Sequence, residues 1–220
     1  MNFRVFEDRH DAGRALVPAM RDRALNNPII IGLPRGGVPV AYEIALALKA
    51  PLDIITVRKL GAPSQPELAI GAIASGGIQA LNEELIARIP GLDESVIKTM
   101  VADEMRELSR RERLYRRDRP FPDLRQREVV LVDDGMATGA TMRAAAEAVL
   151  SQEPSKLLVA VPTASEGAVQ LLKEKVDDVI CLETPSPFRA VGYFYRNFRQ
   201  TSDDEVRRLL TEAHDNRSVA

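Results

Sequence analysis

The sequence predicts an α/β fold in which a parallel β-sheet is flanked by helices. Short apolar, largely β-branched runs recur along the chain, and several are apolar on both faces. Segments whose apolar residues repeat at helical spacing lie between these runs. Strands buried on both faces and separated by helices are typical of a parallel sheet with a helix layer on each side.

The predicted elements follow a strand–helix order. The first strand lies at 28–33, and the helix at 38–49 begins beside Pro39, where proline is tolerated. The later apolar runs predict strands at 52–57, 129–134, 155–162 and 178–183, with helices at 140–150 and 165–175. Two shorter segments, 69–75 and 78–82, meet at Ser75-Gly76-Gly77 and predict a hairpin added to the same sheet.

The stretch at 90–127 departs from this order and predicts a charged helical insertion within a single domain spanning 1–220. Asp93 is placed to cap a helix whose apolar stripe ends at Tyr115. Its arginines suit a nucleic-acid or phosphate surface, but interleaved acidic residues favour a solvated helix. These arginines are Arg110, Arg111, Arg113, Arg116, Arg117 and Arg119.

Composition is that of an ordinary globular protein. A formal net charge of -2 gives no bulk reason to expect nucleic acid or an acidic membrane as a partner. Cys181 is the only cysteine and lies in an apolar run, which favours a buried structural thiol. The N-terminal sequence MNFRVFEDRHDAGR lacks the apolar core of a signal peptide, and no apolar run approaches membrane-spanning length. These features predict a cytoplasmic protein.

A like-charged pair, Asp133 and Asp134, ends the strand at 129–134. At the carboxyl end of a parallel strand, side chains face the crevice in which open sheets bind ligands. The aspartates suit adjacent hydroxyl groups or a water-bridged Mg²⁺. For either aspartate taken alone, the alternative is a structural role in an Asp turn before a capped helix.

Small residues and two threonines, Thr138 and Thr141, lead from this pair into the helix at 140–150. Free N–H groups and the helix dipole make such a turn an anion site, here suited to a phosphate monoester. The turn is not a P-loop, because no lysine lies between its last glycine and the threonine. A phosphate at one end and paired hydroxyls at the other describe a ribose 5-phosphate.

The string VVLVDDGMATGAT resembles the phosphoribosyl-pyrophosphate motif of type I phosphoribosyltransferases. The resemblance implies a Rossmann-like parallel sheet with a small hood over the site, contributed here by about 184–206. It implies that Asp133 and Asp134 bind the ribose hydroxyls and, through water, Mg²⁺. The expected 5-phosphate site comprises Gly135, Met136, Ala137, Thr138, Gly139, Ala140 and Thr141.

Two further segments fit the same resemblance. IIIGLPRGGVPV is another strand, glycine turn and helix, and resembles the family's pyrophosphate loop, formed by Arg35, Gly36 and Gly37. A simple βα turn is the alternative. VRKLGAPSQPEL places Arg58 and Lys59 before a Gly/Pro/Ser segment that is expected to be mobile and resembles the family's flexible catalytic loop. An ordinary surface connection is the alternative there.

The resemblance implies a Mg²⁺-dependent glycosyltransferase of nucleotide metabolism or nucleoside salvage. It would transfer the 5-phosphoribosyl group from phosphoribosyl pyrophosphate to a nitrogenous base or related amine and release pyrophosphate. The resemblance implies catalytic roles for Asp133, Asp134, Arg58 and Lys59. It implies that Arg58 and Lys59 also bind pyrophosphate, together with Arg35. A homodimer is compatible with the resemblance, because dimers are common in the family.

The sequence does not identify the base or amine that accepts the phosphoribosyl group. Ala137 stands where hypoxanthine–guanine enzymes of the family usually carry an aspartate, which speaks against that class. Phe188 is the candidate to stack on a base, and packing of the hood is the alternative. A regulator of the same fold that binds the sugar diphosphate as an effector is the second interpretation, favoured by the arginines at 106–127. A dinucleotide enzyme is disfavoured, because no GxGxxG follows the first strand.

Overall fold

The computed structural model describes residues 3–218 apart from 64, 90, 117 and 118, so Arg117 and the side chain of Arg111 lie outside this description. The strands are β1 Ile29–Gly32, β2 Leu52–Ile54, β3 Val57–Ala62, β4 Gln65–Ala74, β5 Ile78–Leu81, β6 Glu128–Val132, β7 Lys156–Thr163 and β8 Asp178–Glu183. The α-helices are α1 Arg9–Arg21, α2 Gly37–Leu48, α3 Glu83–Ala87, α4 Glu94–Arg116, α5 Ala140–Leu150, α6 Glu166–Lys173 and α7 Asp203–Ser218.

Five strands form the central sheet in the order β2-β1-β6-β7-β8, and every neighbouring pair is parallel. Successive side chains alternate between its faces. Ile30 packs with Leu16 of α1 on one face, and Ile31 packs with Met142 of α5 on the other. Full burial of such a side chain stabilises the fold by about 1.5–3 kcal/mol. The predicted α/β class, a parallel sheet flanked by helices, is confirmed.

The winding of the sheet reverses between β1 and β6. After β1 the chain reaches β2 at the sheet edge, and it later returns to place β6 on the other side of β1. The carboxyl ends of β1 and β6 therefore meet at the topological switch point, where open sheets bind ligands. Two loops begin there, which we call loop A (33–36) and loop B (133–139).

The predicted hairpin is present, but it belongs to a second sheet. β4 and β5 pair antiparallel around the turn Ser75–Gly77, and β3 pairs with the other edge of β4. Ile70 and Ile73 of β4 are buried against α4 residues such as Leu108. The expectation that the hairpin extends the central sheet is wrong, because both edges of β4 are paired within its own three-stranded sheet.

The segment at 57–68, predicted as a mobile loop, is instead β3 and the beginning of β4. The predicted strand at 52–57 is correspondingly split, since β2 ends at Ile54 and the chain crosses to the second sheet through Thr56. Register shifts on both sides of Gly61 mark bulges, which accommodate glycine in a paired strand. Antiparallel pairing along β3 thus outweighs the local turn signals.

Helix α4 forms the charged stretch. Asp93 caps it as predicted, since its Oδ1 accepts the N–H of Val96 at 3.0 Å. Arg106, Arg110 and Arg116 pair with Asp103, Glu107 and Glu112 of the same helix. These pairs support the interpretation of an internally neutralised helix, although Arg116 is buried rather than solvated. Neither α4 nor any other described helix is long and apolar enough to cross a membrane.

The C-terminal segment at 184–206, predicted to form a hood, packs against the N-terminal residues. The N–H of Phe6 donates to the carbonyl of Phe194 at 2.8 Å, and the N–H of Arg196 donates to the carbonyl of Phe6 at 2.9 Å. Phe6 and Phe194 also share an apolar cluster with Tyr195. The end of this range is the first turn of α7, which packs on α2 and α4.

Candidate active site

Loop A and loop B lie in contact at the switch point. The N–H of Leu33 donates to the carbonyl of Val132 at 2.8 Å. A Cβ at Gly37 would lie 2.5 Å from the same carbonyl oxygen, and a Cβ at Gly36 would lie 2.0 Å from Asp134 Oδ2. Both glycines are therefore required for the loops to approach each other. A simple βα turn, whose glycines serve only their own backbone, does not explain this contact.

Asp133 and Asp134 lie at the carboxyl end of β6, and both are only partly exposed. Asp133 Oδ1 accepts the backbone N–H of Asp134 at 2.8 Å. Burial, together with the neighbouring charge of Asp134, raises the pKa of Asp133 well above its ordinary value. Burial also raises the pKa of Asp134, and Arg9 partly opposes that rise. The pair is a desolvated anionic site that favours hydroxyl donors or a hydrated cation.

Arg9, at the start of α1, is a site residue that sequence reasoning missed. Its Nε and Nη2 lie 2.8 and 2.7 Å from Asp134 Oδ2, and its Nη1 donates to the carbonyl of Arg199 at 2.7 Å. Its guanidinium carbon lies 4.1 Å from the centre of the Phe198 ring. Arg9 thus orients the Asp134 carboxylate. No local pattern links it to a residue 125 positions away.

The second half of loop B presents an open turn before α5. Gly139 occupies the position before the helix with a left-handed φ of 72°, which glycine adopts at low cost. Thr138 Oγ1 accepts the N–H of Ala140 in a long contact of 3.4 Å. This helix N-terminus has the geometry of an anion site. Its exposed residues are Ala137, Thr138, Ala140 and Thr141.

Two residues of the predicted 5-phosphate site serve the fold instead. The N–H of Met136 donates to the carbonyl of Thr163 at 3.0 Å, and its side chain is buried. The Met136 amide, expected to bind phosphate, is therefore engaged within the protein. A Cβ at Gly135 would lie 2.6 Å from Val191 Cγ1, so this glycine admits the short turn Val191–Phe194.

Arg35 lies at the tip of loop A and is joined to Pro34 by a cis peptide bond. It faces a cavity of about 580 Å³ that also borders Gly36 and Arg9. Arg35 Nη1 lies 3.7 Å from Asp203 Oδ1 at the start of α7. The partly exposed guanidinium is thus available to an anion in the cavity beside the aspartate pair.

A family model described as a phosphoribosyl transferase domain matches residues 10–195, a span that includes both loops. The chain belongs to the phosphoribosyl transferase family. Its architecture is the type I phosphoribosyltransferase fold, as the motif in loop B predicts.

Individual relatives agree with this assignment. Proteins from two strains of Mycobacterium tuberculosis, whose names assign them provisionally as phosphoribosyl transferases, are each 45% identical over 211 residues. These alignments cover 96% of this chain and 47% of each relative, so the chain spans about half the length of the curated relatives it matches. The crystal structure of TT1426 from Thermus thermophilus is 42% identical, with a TM-score of 0.87 over 96% of this chain and 99% of that chain.

In this member of the family, the two cations predicted for a flexible loop lie on β3. Arg58 Nε donates to Glu104 Oε2 of α4 at 2.6 Å, and this bond raises the pKa of Arg58. Neither Arg58 nor Lys59 is among the described residues that line the cavity beside Arg35. The structure therefore does not bring them together with loop A, and their pyrophosphate-binding role stays a prediction.

Phe188 lies within the predicted hood, 184–206. Its ring stacks on that of Phe194, with centroids 5.5 Å apart and planes 19° apart. This position is that of a packing residue, and stacking on a base stays a prediction. The nearby Tyr193 is 62% exposed and lines a separate cavity of about 710 Å³. The hydroxyl of Tyr195 donates to the Asp134 carbonyl at 2.6 Å and so ties this segment to loop B.

Proposed function

We propose that the chain is a Mg²⁺-dependent phosphoribosyltransferase. It transfers the 5-phosphoribosyl group from phosphoribosyl pyrophosphate to a nitrogenous base or related amine and releases pyrophosphate. One observation carries the proposal: the aspartate pair lies between the cationic loop A and the open helix N-terminus after loop B. A ligand with hydroxyls in the middle and phosphates at both ends matches these groups in that order.

The chemistry follows from the charges of the site. The bond from ribose C1 to pyrophosphate breaks while the acceptor nitrogen bonds to C1. Positive charge that develops on the ring faces Asp133 and Asp134, and the departing pyrophosphate accepts hydrogen bonds from Arg35. The 5-phosphate, held at the N-terminus of α5, fixes the ring between them. No covalent enzyme nucleophile is required.

Mg²⁺ is proposed from the donor set. Within the described residues no group of three or more His, Cys, Asp or Glu side chains forms a candidate metal site. Mg²⁺ usually binds through one or two carboxylates together with waters and substrate phosphates. Asp133 and Asp134 fit such an ion when the substrate completes its ligands. The bound ion would supply positive charge beside the leaving pyrophosphate.

The decisive experiment is a pyrophosphate-release assay with phosphoribosyl pyrophosphate, Mg²⁺ and a panel of nucleobases and amines. We expect release with at least one acceptor and a loss of release when Mg²⁺ is chelated. If phosphoribosyl pyrophosphate does not bind at all, as judged by calorimetry, the proposed function is wrong. Binding without turnover on any acceptor, together with a shift of RNA on a gel, would instead favour the regulator.

A further inference from the structure

The cavity beside Arg35 is cationic, and its walls come from distant parts of the chain. Arg9, Arg35 and Arg110 line it, whereas Asp203 is the one acidic side chain among its described lining residues. Its volume of about 580 Å³ lies within the range of small-molecule sites and exceeds what a single phosphate requires. Arg110 belongs to α4, outside every motif that predicted the site from sequence.

Thr56 lines the same cavity, and its buried hydroxyl is unsatisfied by the described residues. The residue lines the cavity and is only 8% exposed, and its Oγ1 has no hydrogen-bond partner in the described part of the chain. Its backbone is satisfied, because its N–H and carbonyl bond to Ser75 at 2.8 and 3.0 Å. A buried hydroxyl without a partner is unfavourable, and rotation of the Thr56 side chain would let the hydroxyl donate to an oxygen-rich ligand in the cavity.

Arg110 is held loosely in comparison with Arg9. Its Nε and Nη2 donate to Glu107 at 2.9 and 3.0 Å, and its side chain is 64% exposed. An exposed pair of this kind contributes little, because both ions remain largely hydrated. The guanidinium can therefore leave Glu107 for an anion at small cost. Arg9, by contrast, is buried against Asp134.

We propose that Arg110 and Thr56 form the second wall of a diphosphate site, across the cavity from Arg35. They bind the pyrophosphate end of the sugar diphosphate, so the inference rests on the proposed function and adds two residues to it. In this arrangement Arg110 on α4 supplies the positive charge beside pyrophosphate that the sequence predicted from Arg58 and Lys59 on β3. Arg58 instead fastens β3 to α4 through Glu104.

The test compares Arg110→Gln with Arg106→Gln. Both arginines pair with an acid three residues earlier on α4, but Arg106 is not among the residues lining the cavity. Binding of phosphoribosyl pyrophosphate and of inorganic pyrophosphate, each with Mg²⁺, is measured by calorimetry. We expect Arg110→Gln to weaken both by about tenfold, the value of one charge-assisted hydrogen bond, and Arg106→Gln to change them less than about twofold.

Equal affinity of Arg110→Gln and the wild type for both ligands would overturn the role of Arg110 while leaving the proposed function standing. If the wild type binds neither ligand, the proposed function itself fails. The two failures are thus distinguished by the wild-type measurement alone.

Thr56→Val tests the second residue. Because the hydroxyl is unpaired and valine has nearly the same shape, we expect unchanged or higher thermal stability. Pyrophosphate binding should weaken by about three- to tenfold, since one hydrogen bond to a charged group is lost. Thr56→Ser, which keeps the hydroxyl, should bind within about twofold of the wild type. Undiminished binding by Thr56→Val would show that the hydroxyl does not contact the diphosphate.

Discussion

Loop A and loop B each connect a buried strand to a helix through a glycine-containing turn, yet their glycines are required for different structural reasons. In loop A, a methyl group at Gly36 would overlap Asp134 of the other loop. In loop B, Gly139 has a left-handed φ of 72° and admits a turn whose neighbours Thr138 and Thr141 are exposed. Loop A is thus shaped by contact between loops, and loop B by an open helix N-terminus. Substitutions of the glycines in each loop should distinguish these two structural requirements.

Gly36→Ala should have the largest effect. The added methyl would lie 2.0 Å from Asp134 Oδ2 and 3.1 Å from Arg9 Nε, so the carboxylate or the whole loop must move. Displacement of a catalytic group by about 1 Å typically costs about a hundredfold in rate. We expect pyrophosphate release to fall by about that factor, and thermal unfolding to show a loss of about 1–3 kcal/mol from overpacking.

Gly167→Ala is the control for this variant. Gly167 lies in α6, and a Cβ there would meet nothing within 4 Å. Alanine should raise the free energy of unfolding by about 0.5–1 kcal/mol and leave release of pyrophosphate unchanged. If Gly36→Ala behaves like this control, the close approach of the two loops does not matter for the site.

Asp134→Asn should be the next most damaging change, because it leaves Arg9 buried without its anionic partner. Removing one partner of a buried ion pair lowers the free energy of unfolding, although the burial that raises the pKa of Asp134 offsets part of that loss. The comparison is Asp178→Asn, which breaks a pair with Arg23 that is 35% exposed on both sides and should cost less than about 1 kcal/mol. Urea unfolding of both variants measures the difference. Equal losses would mean that the Arg9 pair behaves as a surface pair.

Gly139→Ala should have a smaller effect than either Gly36→Ala or Asp134→Asn. Alanine at a left-handed φ costs about 1–2 kcal/mol, and its Cβ would lie 3.2 Å from that of Ala168. Asparagine tolerates this conformation better, so Gly139→Asn should lose less stability in the same urea experiment. A neutral or stabilising Gly139→Ala would contradict the left-handed turn before α5.

The two loops were predictable from sequence because their signals are local. An apolar strand, a short turn and a helix start are contiguous in the chain, and the aspartate pair follows its strand directly. The family match and the parallel sheet agree with that prediction. The engagement of the Met136 amide was not predictable, because it depends on Thr163 in the neighbouring strand β7.

The structure around the two loops depends on residues that are distant in the sequence, and local sequence signals predicted it wrongly or not at all. Gly61 and the prolines near it gave turn signals, but β3 finds a partner along β4 and the pairing prevails. Arg9 and Arg110 reach the site from two separate helices. Neither stands in a motif, so only the fold identifies them as neighbours of loop A.

Asp133→Asn should change stability in the opposite direction, because it removes a buried charge. Asp133 is desolvated beside a like charge, which raises its pKa in the folded protein above the unfolded value. Ionised Asp133 therefore destabilises the native state at pH 7, and the neutral amide removes that penalty while its oxygen still accepts the N–H of Asp134. We therefore expect the free energy of unfolding to rise.

The gain from Asp133→Asn should depend on pH. The wild type regains stability as the pH falls through the raised pKa, because folded Asp133 then binds a proton before the unfolded chain does. The advantage of the asparagine variant thus diminishes as the pH falls and vanishes below about pH 4, where the unfolded carboxyl is also protonated. Turnover should be lost at every pH if this carboxylate faces the ribose. A variant that is less stable than the wild type at pH 7 would mean that Asp133 is satisfied by the fold, and that the aspartate pair at the end of β6 is structural.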